Sequence, residues 1–325
     1  MPKISVIIPA FNAEETILET IRSIQQQTFE DFELIVINDG STDRTLEVVN
    51  QVDDPRLKAF SHENAGVSMA RNRGIVHAQG DFISFIDADD LWTSDKLECQ
   101  LAALQSNPNA GVVYSWTLNM HHGEQSSSFS QGCSSLLSGN IYPQLLLGNF
   151  IGSGSNILVR RKAVESTQLF DLASVPCEDW QFCLQLSANW DFMVVPKNQV
   201  LYRKIAASQS TRVSVMERAG LYVIDWAYKA TQPELQYLKK QSLAFLHRYC
   251  ADLCLANSFD VGSIKLAKGY LWSSMSSYPE ILLEKYTQNL IVKLVLKWLL
   301  PTKVSSSAIQ TLKKLRSIRD PRLHP

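Results

Sequence analysis

The sequence contains 325 residues, of which 45% are hydrophobic and 19% are charged, and its formal net charge at pH 7 is −1. These proportions are close to those of soluble globular proteins and exclude a disordered or collagen-like chain. Because the charge balance is nearly neutral, we expect no nucleic-acid partner. A chain of this length can bury a full core as one large domain with a smaller appendage, or as two modest domains.

The cysteines and the first residues indicate the cellular compartment of the protein. The six cysteines include no C-x-x-C pair and none lies at zinc-finger spacing from a histidine, so we predict reduced thiols. The first nine residues lack both a charged n-region and a long apolar stretch, so no signal peptide is predicted. These features favour a cytoplasmic protein.

The first ninety residues contain four short apolar runs rich in β-branched side chains, a pattern typical of buried strands. The predicted strands are Ile4–Ile8, Phe32–Ile37, Leu57–Phe60 and Phe82–Ile86.

Segments with helical spacing lie between these strands. Asn12 and Glu15 predict a capping box for the first helix, and Ser41 or Thr42 predicts a cap for the second. A third helix is predicted around Met69–His77. The alternation of strand and helix predicts a parallel sheet with right-handed crossovers.

Beyond Asn109 this alternation is lost. A Ser-rich stretch at Gly123–Ser138 predicts a loop, Cys177–Asn189 predicts a helix, and the pattern is helical from Val213 onward. Further strands are predicted near Val112–Leu118, Phe192–Val195 and Val200–Arg203.

Three polar or turn-forming segments follow predicted strands, at residues 9–12, 38–41 and 87–90. Ligands of open parallel sheets bind outside the carboxyl ends of the strands, so we expect one site at this edge. The chain lacks a dinucleotide glycine fingerprint after the first strand and a P-loop lysine. These absences disfavour a nicotinamide dehydrogenase and a P-loop ATPase.

Asp87, Asp89 and Asp90 form a carboxylate cluster directly after the fourth strand. In an extended chain Asp87 and Asp89 point to the same side, where their charges repel unless a cation lies between them. Mg²⁺ or Mn²⁺ suits such a pair, with substrate phosphates as further ligands. The alternative is a solvated acidic turn that caps a helix near Asp95.

Two other acidic positions are open to two interpretations. Asp39 could accept a hydrogen bond from the ring N–H of a pyrimidine base, or it could join Asp43 in complementing a helix dipole. Glu178 and Asp179 precede Trp180 at the start of a predicted helix. They could complement its dipole, or a carboxylate there could act as a general base on a substrate hydroxyl.

Taken together, these segments closely resemble glycosyltransferase family 2. The resemblance rests on four ordered blocks, ISVIIPAFN at 4–12, FELIVINDGSTD at 32–43, ARNRG at 70–74 and GDFISFIDADD at 80–90. GSGSN at 152–156 and EDW at 178–180 extend it to about residue 205.

The resemblance implies an α/β fold of the A-type glycosyltransferase class, with a Rossmann-like, mostly parallel sheet. We place the catalytic domain at residues 1–212, with a nucleotide-sugar half at about 1–110 and an acceptor half at about 111–212. Beyond about residue 205 the resemblance ends, and the helical pattern predicts a helical C-terminal extension at 213–325. The resemblance implies an inverting transferase that uses a nucleotide-diphosphate sugar, here expected to be UDP-linked, and a divalent metal, Mn²⁺ or Mg²⁺.

The resemblance also assigns roles to individual residues. Asp87 lies near the ribose and the metal, Asp89 is the metal ligand, and Asp179 is the catalytic base. Arg71 lies near the diphosphate, and Asp39 contacts the ring of the nucleotide base. The residues that line the nucleotide pocket are Pro9, Ala10 and Asn12.

The sequence departs from the family pattern in two respects. It lacks the Q-x-x-R-W signature of processive synthases, which favours transfer of a single sugar. It also lacks a histidine after Val200 that would complete the metal ligands, although Ser208 and Ser210 follow at that place. Two rival functions stay open, a sugar nucleotidyltransferase and a non-catalytic protein that binds a sugar nucleotide or glycan.

Family members often act on glycan or lipid-linked acceptors in surface polysaccharide synthesis. Asn289–Leu300 is apolar apart from Lys293 and Lys297, and basic residues follow it, so peripheral membrane contact through residues 289–322 is one expectation. Packing of this helix on the rest of the chain, or a homodimer contact, is the alternative.

Overall fold

The computed structural model describes residues 2–121, 128–204, 212–257, 260–300 and 304. Contacts between residues divide the chain into two compact units. The first comprises Met1–Leu145 with Asn149–Ile205, and the second comprises Leu146–Gly148 with Ala206–Pro325.

Nine strands and seven α-helices make up the described residues up to 204. The strands are β1 (Ile4–Ala10), β2 (Phe32–Asp39), β3 (Leu57–His62), β4 (Phe82–Phe85), β5 (Leu91–Trp92), β6 (Ala110–His121), β7 (Ser128–Gln131), β8 (Leu158–Arg160) and β9 (Asp191–Arg203). The helices are α1 (Ile17–Gln25), α2 (Thr45–Asn50), α3 (Val67–His77), α4 (Lys96–Ser106), α5 (Tyr142–Leu147), α6 (Arg161–Glu165) and α7 (Glu178–Ser187).

All nine strands form one sheet in the order β3-β2-β1-β4-β8-β6-β9-β5, with β7 paired to β6. The first four strands are parallel, and Ile4 lies opposite both Phe32 and Phe82. β8 then runs antiparallel between β4 and β6, and β6 pairs with β9 in parallel. The carboxyl ends of β1, β2 and β4 therefore meet at one edge, as predicted from the alternation of strand and helix.

Burial explains why the first strands form so clearly. Every residue of β1 and β2 is buried, because helices cover both faces of a parallel sheet. Gly74 lets α3 approach β1 closely, since a Cβ atom there would lie 2.3 Å from Cγ2 of Ile7. The predicted α/β fold with a helical C-terminal part is confirmed.

The local predictions at the first two helix starts are wrong. α1 begins at Ile17 without a side-chain cap, and Asn12 instead adopts a positive φ of 48° in the loop before it. α2 begins at Thr45, whose amide donates to the carboxylate of Asp43 at 3.0 Å, so neither Ser41 nor Thr42 caps it. The two strands predicted near the end of this unit are one irregular strand, β9.

The described residues of the second unit are mainly helical, as predicted from Val213 onward. Its α-helices are α8 (Val213–Ala230), α9 (Lys239–Asn257), α10 (Val261–Ser277) and α11 (Lys285–Leu299). Its core contains Ala251, Cys254, Leu255, Ala267, Leu271 and Leu290. Among the residues that the structure describes, no helix is both long enough and apolar enough to cross a bilayer.

The two lysines of α11 do not form an outward-facing charged stripe. Lys293 donates to Asp252 of α9 at 3.1 Å, and Lys297 is buried, which lowers its pKa to about 8. Val292, Val295 and Trp298 are exposed instead. The exposed side chains in the last two turns of α11 are therefore apolar. The basic tail lies outside the described residues.

Candidate active site

The turn after β4 separates the three predicted carboxylates. Asp87 and Asp89 are partly exposed, whereas Asp90 is fully buried. The turn is closed by a hydrogen bond from the Asp90 amide to the carbonyl of Asp87 at 3.0 Å. Burial, followed by repulsion from Asp87, raises the pKa of Asp89 to about 6. Two carboxylates that resist ionising together provide a suitable place for a cation.

Asp90 stabilises the turn from its buried side. Its carboxylate accepts hydrogen bonds from the hydroxyl of Ser155 at 2.6 Å and from the amide of Arg203 at 3.0 Å. Burial and the neighbouring Asp89 and Asp87 raise its pKa well above the usual range. Because Asp90 is enclosed by these partners, the alternative of a solvated acidic turn does not apply to it.

Arg71 joins the turn to the start of α7. Its guanidinium donates to the carboxylate of Asp87 at 2.5 Å and to that of Glu178 at 2.6 Å, and its side chain is only 2% exposed. The resemblance places Arg71 near the diphosphate, and the structure places it against Asp87, on the same side of the site. Its two terminal nitrogens are both occupied by carboxylates.

Asp179 lies in the first turn of α7, next to Glu178. Its carboxylate accepts hydrogen bonds from the amide of Trp180 at 2.7 Å and from the side-chain amide of Asn149 at 3.2 Å. Burial raises its pKa to about 7; repulsion from Glu178 adds to this shift and attraction to Arg71 opposes it. A carboxylate that titrates near neutral pH is suited to accept a proton from a substrate.

Asp39 ends β2 and is nearly completely buried. Its carboxylate accepts from the amides of Ala65 and Gly66 at 2.7–3.1 Å and from the guanidinium of Arg73 at 2.9 Å. It therefore complements the amino end of α3, whereas the dipole interpretation placed it at α2. Gly40 follows with a φ of 71°, and a Cβ atom there would lie 2.8 Å from the amide of Asn64.

The remaining predicted pocket residues lie at the carboxyl end of β1. Pro9 and Ala10 are buried in the strand, opposite residues 37 and 38 of β2. Asn12 is exposed, and its side-chain oxygen accepts from the amide of Thr42 at 2.8 Å. The loops after β1 and β2 are thus joined to each other at the edge where the site lies.

The donor set fits a hard divalent cation only in part. Asp87 and Asp89 supply carboxylate oxygens, and one oxygen of Asp87 is engaged by Arg71. Among the described residues, no group of three His, Cys, Asp or Glu side chains is arranged around a metal position. Mg²⁺ and Mn²⁺ sites of one or two carboxylates completed by substrate phosphates are common, so these residues suit such an ion. Ser208 and Ser210 lie outside the described residues.

Three residues of the site, Ser155, Arg203 and Asn149, received no role from the sequence. Ser155 lies in the block at 152–156 that carries part of the resemblance. Arg203 and Asn149 stood in no motif. Their contacts to Asp90 and Asp179 depend on chain segments distant in sequence, which local patterns do not reveal.

Comparison with known proteins gives a family match over most of the chain. The model of a family described as "Glycosyltransferase like family 2" matches residues 5–251. A glycosyltransferase of Haemophilus influenzae, described as uncharacterized, is 36% identical over 215 residues, which cover 64% of this chain and 78% of that protein. The glucosyltransferase WfgD of Escherichia coli is 41% identical over 112 residues, or 34% of this chain and 44% of WfgD. WfgD is named as a UDP-Glc:alpha-D-GlcNAc-diphosphoundecaprenol beta-1,3-glucosyltransferase.

Two further comparisons concern length and fold. The chain spans about a quarter of the length of related Rickettsia conorii and Rickettsia felis glycosyltransferases, which are 39% and 37% identical over 145 residues. The mannosyltransferase PcManGT of Pyrobaculum calidifontis, solved with GDP-Man and Mn²⁺, matches with a TM-score of 0.56 and 18% identity. That match covers 90% of this chain and 87% of PcManGT, and it shows a common fold.

Proposed function

The chain belongs to the family described as glycosyltransferase like family 2, and from this premise we propose that it is an inverting glycosyltransferase. It moves one sugar from a nucleotide-diphosphate sugar to an acceptor hydroxyl. The observation that carries the proposal is the contact of one guanidinium, that of Arg71, with both Asp87 and Glu178. This contact brings the carboxylates after β4 next to the start of α7, whose first turn contains Asp179.

The donor is proposed to bind at the carboxyl ends of β1, β2 and β4. Pro9, Ala10 and Asn12 line the nucleotide pocket. Asp39, whose carboxylate also bonds to the amide of Ala65, contacts the base ring. Asp87 lies on the ribose and diphosphate side, where Arg71 holds it in place. The donor is expected to be UDP-linked, an assignment supported by the UDP-Glc donor in the name of WfgD.

Asp87 and Asp89 are the residues that would hold a divalent metal ion. When bound there, Mn²⁺ or Mg²⁺ stabilises the negative charge that develops on the departing diphosphate. The raised pKa of Asp89 supports this assignment, because burial and repulsion from Asp87 outweigh the attraction to Arg203, and a divalent cation would offset both effects. The Mn²⁺ in the complex of PcManGT offers further support.

Asp179 is proposed as the general base. The acceptor oxygen attacks the anomeric carbon from the face opposite the diphosphate, its proton passes to the Asp179 carboxylate, and the bond between the anomeric carbon and the phosphate oxygen breaks. The electron pair of that bond leaves with the diphosphate, so a new glycosidic bond forms with inverted configuration. The raised pKa of Asp179 suits proton acceptance near neutral pH.

The acceptor is proposed to be a glycan carried on a lipid diphosphate, in polysaccharide synthesis. The support comes from WfgD, whose name specifies a sugar linked to diphosphoundecaprenol. Transfer of a single sugar rather than polymerisation is favoured because the processive Q-x-x-R-W signature is absent from the sequence.

One assay separates this function from its rivals. The protein is incubated with Mn²⁺ and a panel of UDP- and GDP-sugars, with and without a lipid-diphosphate-linked glycan, and the nucleotide products are identified. Acceptor-stimulated release of nucleoside diphosphate supports the proposal. In a parallel incubation with nucleoside triphosphates and a sugar phosphate, release of pyrophosphate would indicate a nucleotidyltransferase. Binding of a donor with turnover in neither incubation would indicate a non-catalytic protein.

Membrane contact is proposed for the exposed apolar face of α11. Val292, Val295 and Trp298 would enter the interface of an anionic bilayer, and the basic residues after position 302 would add electrostatic attraction. Co-sedimentation with anionic liposomes at low salt should be lost in Trp298→Glu and kept in Val76→Glu, which changes an exposed residue of α3. Failure of the wild-type protein to co-sediment would exclude the contact, and a dimer in sedimentation velocity that Trp298→Glu dissolves would identify this face as a homodimer contact.

A further inference from the structure

The Arg71 side chain occupies an enclosed position between two elements of the first unit. It extends from α3 and contacts Asp87 after β4 and Glu178 at the start of α7, which lies 107 residues further along the chain. The guanidinium carbon lies 5.3 Å from the centroid of the Phe170 ring. A Cβ atom on Gly154 would come within 3.1 Å of one terminal nitrogen, so there is little room for another arrangement.

The buried contact of Arg71 with Glu178 is not expected to stabilise the folded state by itself. Arg71 and Glu178 are both buried, and among the described residues Nε of Arg71 and Oε2 of Glu178 have no hydrogen-bond partner. Buried ion pairs regain their desolvation cost only when the remaining polar atoms are also satisfied. Apolar pairs of similar volume often stabilise a fold as well as a buried ion pair does, so these charges point to a role in the site.

Glu178 is the covalent neighbour of Asp179. The position of Glu178 therefore sets where α7 begins and where the Asp179 carboxylate lies. Several charged or titratable groups face Asp179, namely Glu178 and Cys183 on α7, Arg71 on α3, Asp87 after β4, and Cys133. Of these, Arg71 is the cation that contacts both Asp87 and Glu178.

We propose that Arg71 and Glu178 are positioning residues, which fix the start of α7, and with it Asp179, at a set distance from Asp87. This inference rests on the proposed function, because it gives Asp179 and Asp87 their roles in sugar transfer. Proximity and orientation of reacting groups are worth large rate factors, and a displacement of about 1 Å can cost about 10²-fold. Shortening Glu178 should therefore lower turnover without removing donor binding.

Two substitutions of Glu178 separate its length from its charge. Glu178→Asp keeps the charge and is one methylene shorter, so it draws α7 towards Arg71 or loses the contact. Glu178→Gln keeps the length and removes the charge that raises the pKa of Asp179. Glu165, which is exposed at the end of α6, provides the matched controls Glu165→Asp and Glu165→Gln.

The expected results differ between the two variants. Glu178→Asp should lower kcat by about 10- to 10²-fold, with the donor KM within about twofold and the acid limb of the pH profile of kcat unchanged. Glu178→Gln should move that acid limb to lower pH, because Asp179 loses a repelling neighbour. Arg71→Lys should also lower kcat, since a single ammonium group cannot bridge two carboxylates as a guanidinium does.

A kcat of Glu178→Asp within twofold of the wild type would overturn the inference. So would a parallel loss of kcat, donor affinity and thermal stability, which would mark the pair as purely structural. If the wild-type protein transfers no sugar from any donor, the proposed function fails, and a separate measurement tests the arrangement. In ¹³C NMR titrations of the side-chain carboxyls, the pKa of Asp179 should fall in Glu178→Gln, and an unchanged value would overturn the inference independently of activity.

Discussion

The hydroxyl of Ser155 donates a hydrogen bond to the Asp90 carboxylate at 2.6 Å and accepts one from the amide of Asp87 at 3.0 Å. A single side chain in the 3₁₀ turn at Gly154–Asn156 therefore fixes both ends of the acidic turn that follows β4. Because the hydroxyl is fully buried, no solvent competes for these bonds. The turn that carries the partly exposed carboxylates of Asp87 and Asp89 is therefore stabilised on its buried side by Ser155, which lies 68 residues after Asp87 in sequence.

Removal of this hydroxyl should loosen the acidic turn. Ser155→Ala leaves the Asp90 carboxylate without one of its donors in a buried place, so we expect a loss of about 1–3 kcal/mol in the free energy of unfolding. Mn²⁺-dependent binding of the nucleotide sugar, measured by calorimetry, should also weaken. Ser106→Ala, which removes an exposed hydroxyl bonded to a carbonyl of its own helix, is the control. Unchanged stability and binding in Ser155→Ala would show that the turn does not depend on this contact.

Asp179 can be tested as the base by an isosteric change. Asp179→Asn keeps the shape and its contact with Asn149 but cannot accept a proton, so turnover should fall by about 10²- to 10⁴-fold while the donor dissociation constant is retained. Both quantities are measured on the same preparation, by diphosphate release and by calorimetry. Asp53→Asn, at an exposed position before β3, should leave both unchanged. A loss of donor binding in Asp179→Asn would instead identify Asp179 as a structural carboxylate.

The rate should depend on pH through the same group. With a pKa of about 7, Asp179 is increasingly protonated below neutral pH, so kcat should fall roughly tenfold per unit at acid pH and level off above pH 8. A profile of kcat that stays flat between pH 5 and 8 would contradict this assignment.

Stability should show the opposite dependence on pH. The pKa of Asp179 is about 7 in the folded protein and about 3.9 in an unfolded chain, so the folded state binds more protons in between. The contribution of Asp179 to the free energy of unfolding of the metal-free protein should therefore decrease as the pH rises from about 4 to about 7, whereas carboxylates with a lowered pKa, such as Asp54 and Asp95, contribute in the opposite direction. Asp179→Asn should reduce this slope and should be more stable than the wild type at pH 8 in urea unfolding. Equal slopes in the two proteins would mean that Asp179 is not perturbed.

Asp89 is the residue on which metal dependence should rest. Asp89→Asn removes one carboxylate charge with little change in shape, so the Mn²⁺-dependent part of nucleotide-sugar binding should disappear, and binding without Mn²⁺ should remain. Calorimetric titrations with and without Mn²⁺ measure the two parts separately. A Mn²⁺ dependence equal to that of the wild type would remove Asp89 from the metal site.

The sequence allowed the architecture to be predicted because its signals are local. Apolar runs predicted the first four strands to within two residues at each end, and the rule for parallel sheets placed residues 9–12, 38–41 and 87–90 at one edge. The roles of individual acidic residues were less accessible. Asp39 bonds to the amino end of α3 and Asp90 is buried against Ser155, and both contacts depend on tertiary packing.

The same limit applies to charged residues in helices. Lys293 and Lys297 are four residues apart and therefore share one face of a helix, but this spacing does not reveal which face meets solvent. The partner of Lys293, Asp252, lies on another helix, and Leu290 of α11 packs into the core, so the rotation of α11 depends on tertiary packing. The contact of Arg71 with Glu178 spans 107 residues and likewise had no local signal.

The anomeric configuration of the product tests the central claim most directly. With an α-linked nucleotide sugar that releases diphosphate in the donor panel, the transferred sugar is isolated on its acceptor and its anomeric proton coupling is measured by NMR. Direct attack by an acceptor hydroxyl activated by Asp179 predicts a β-linked product. An α-linked product would contradict the proposed inverting mechanism and the role of Asp179 in it.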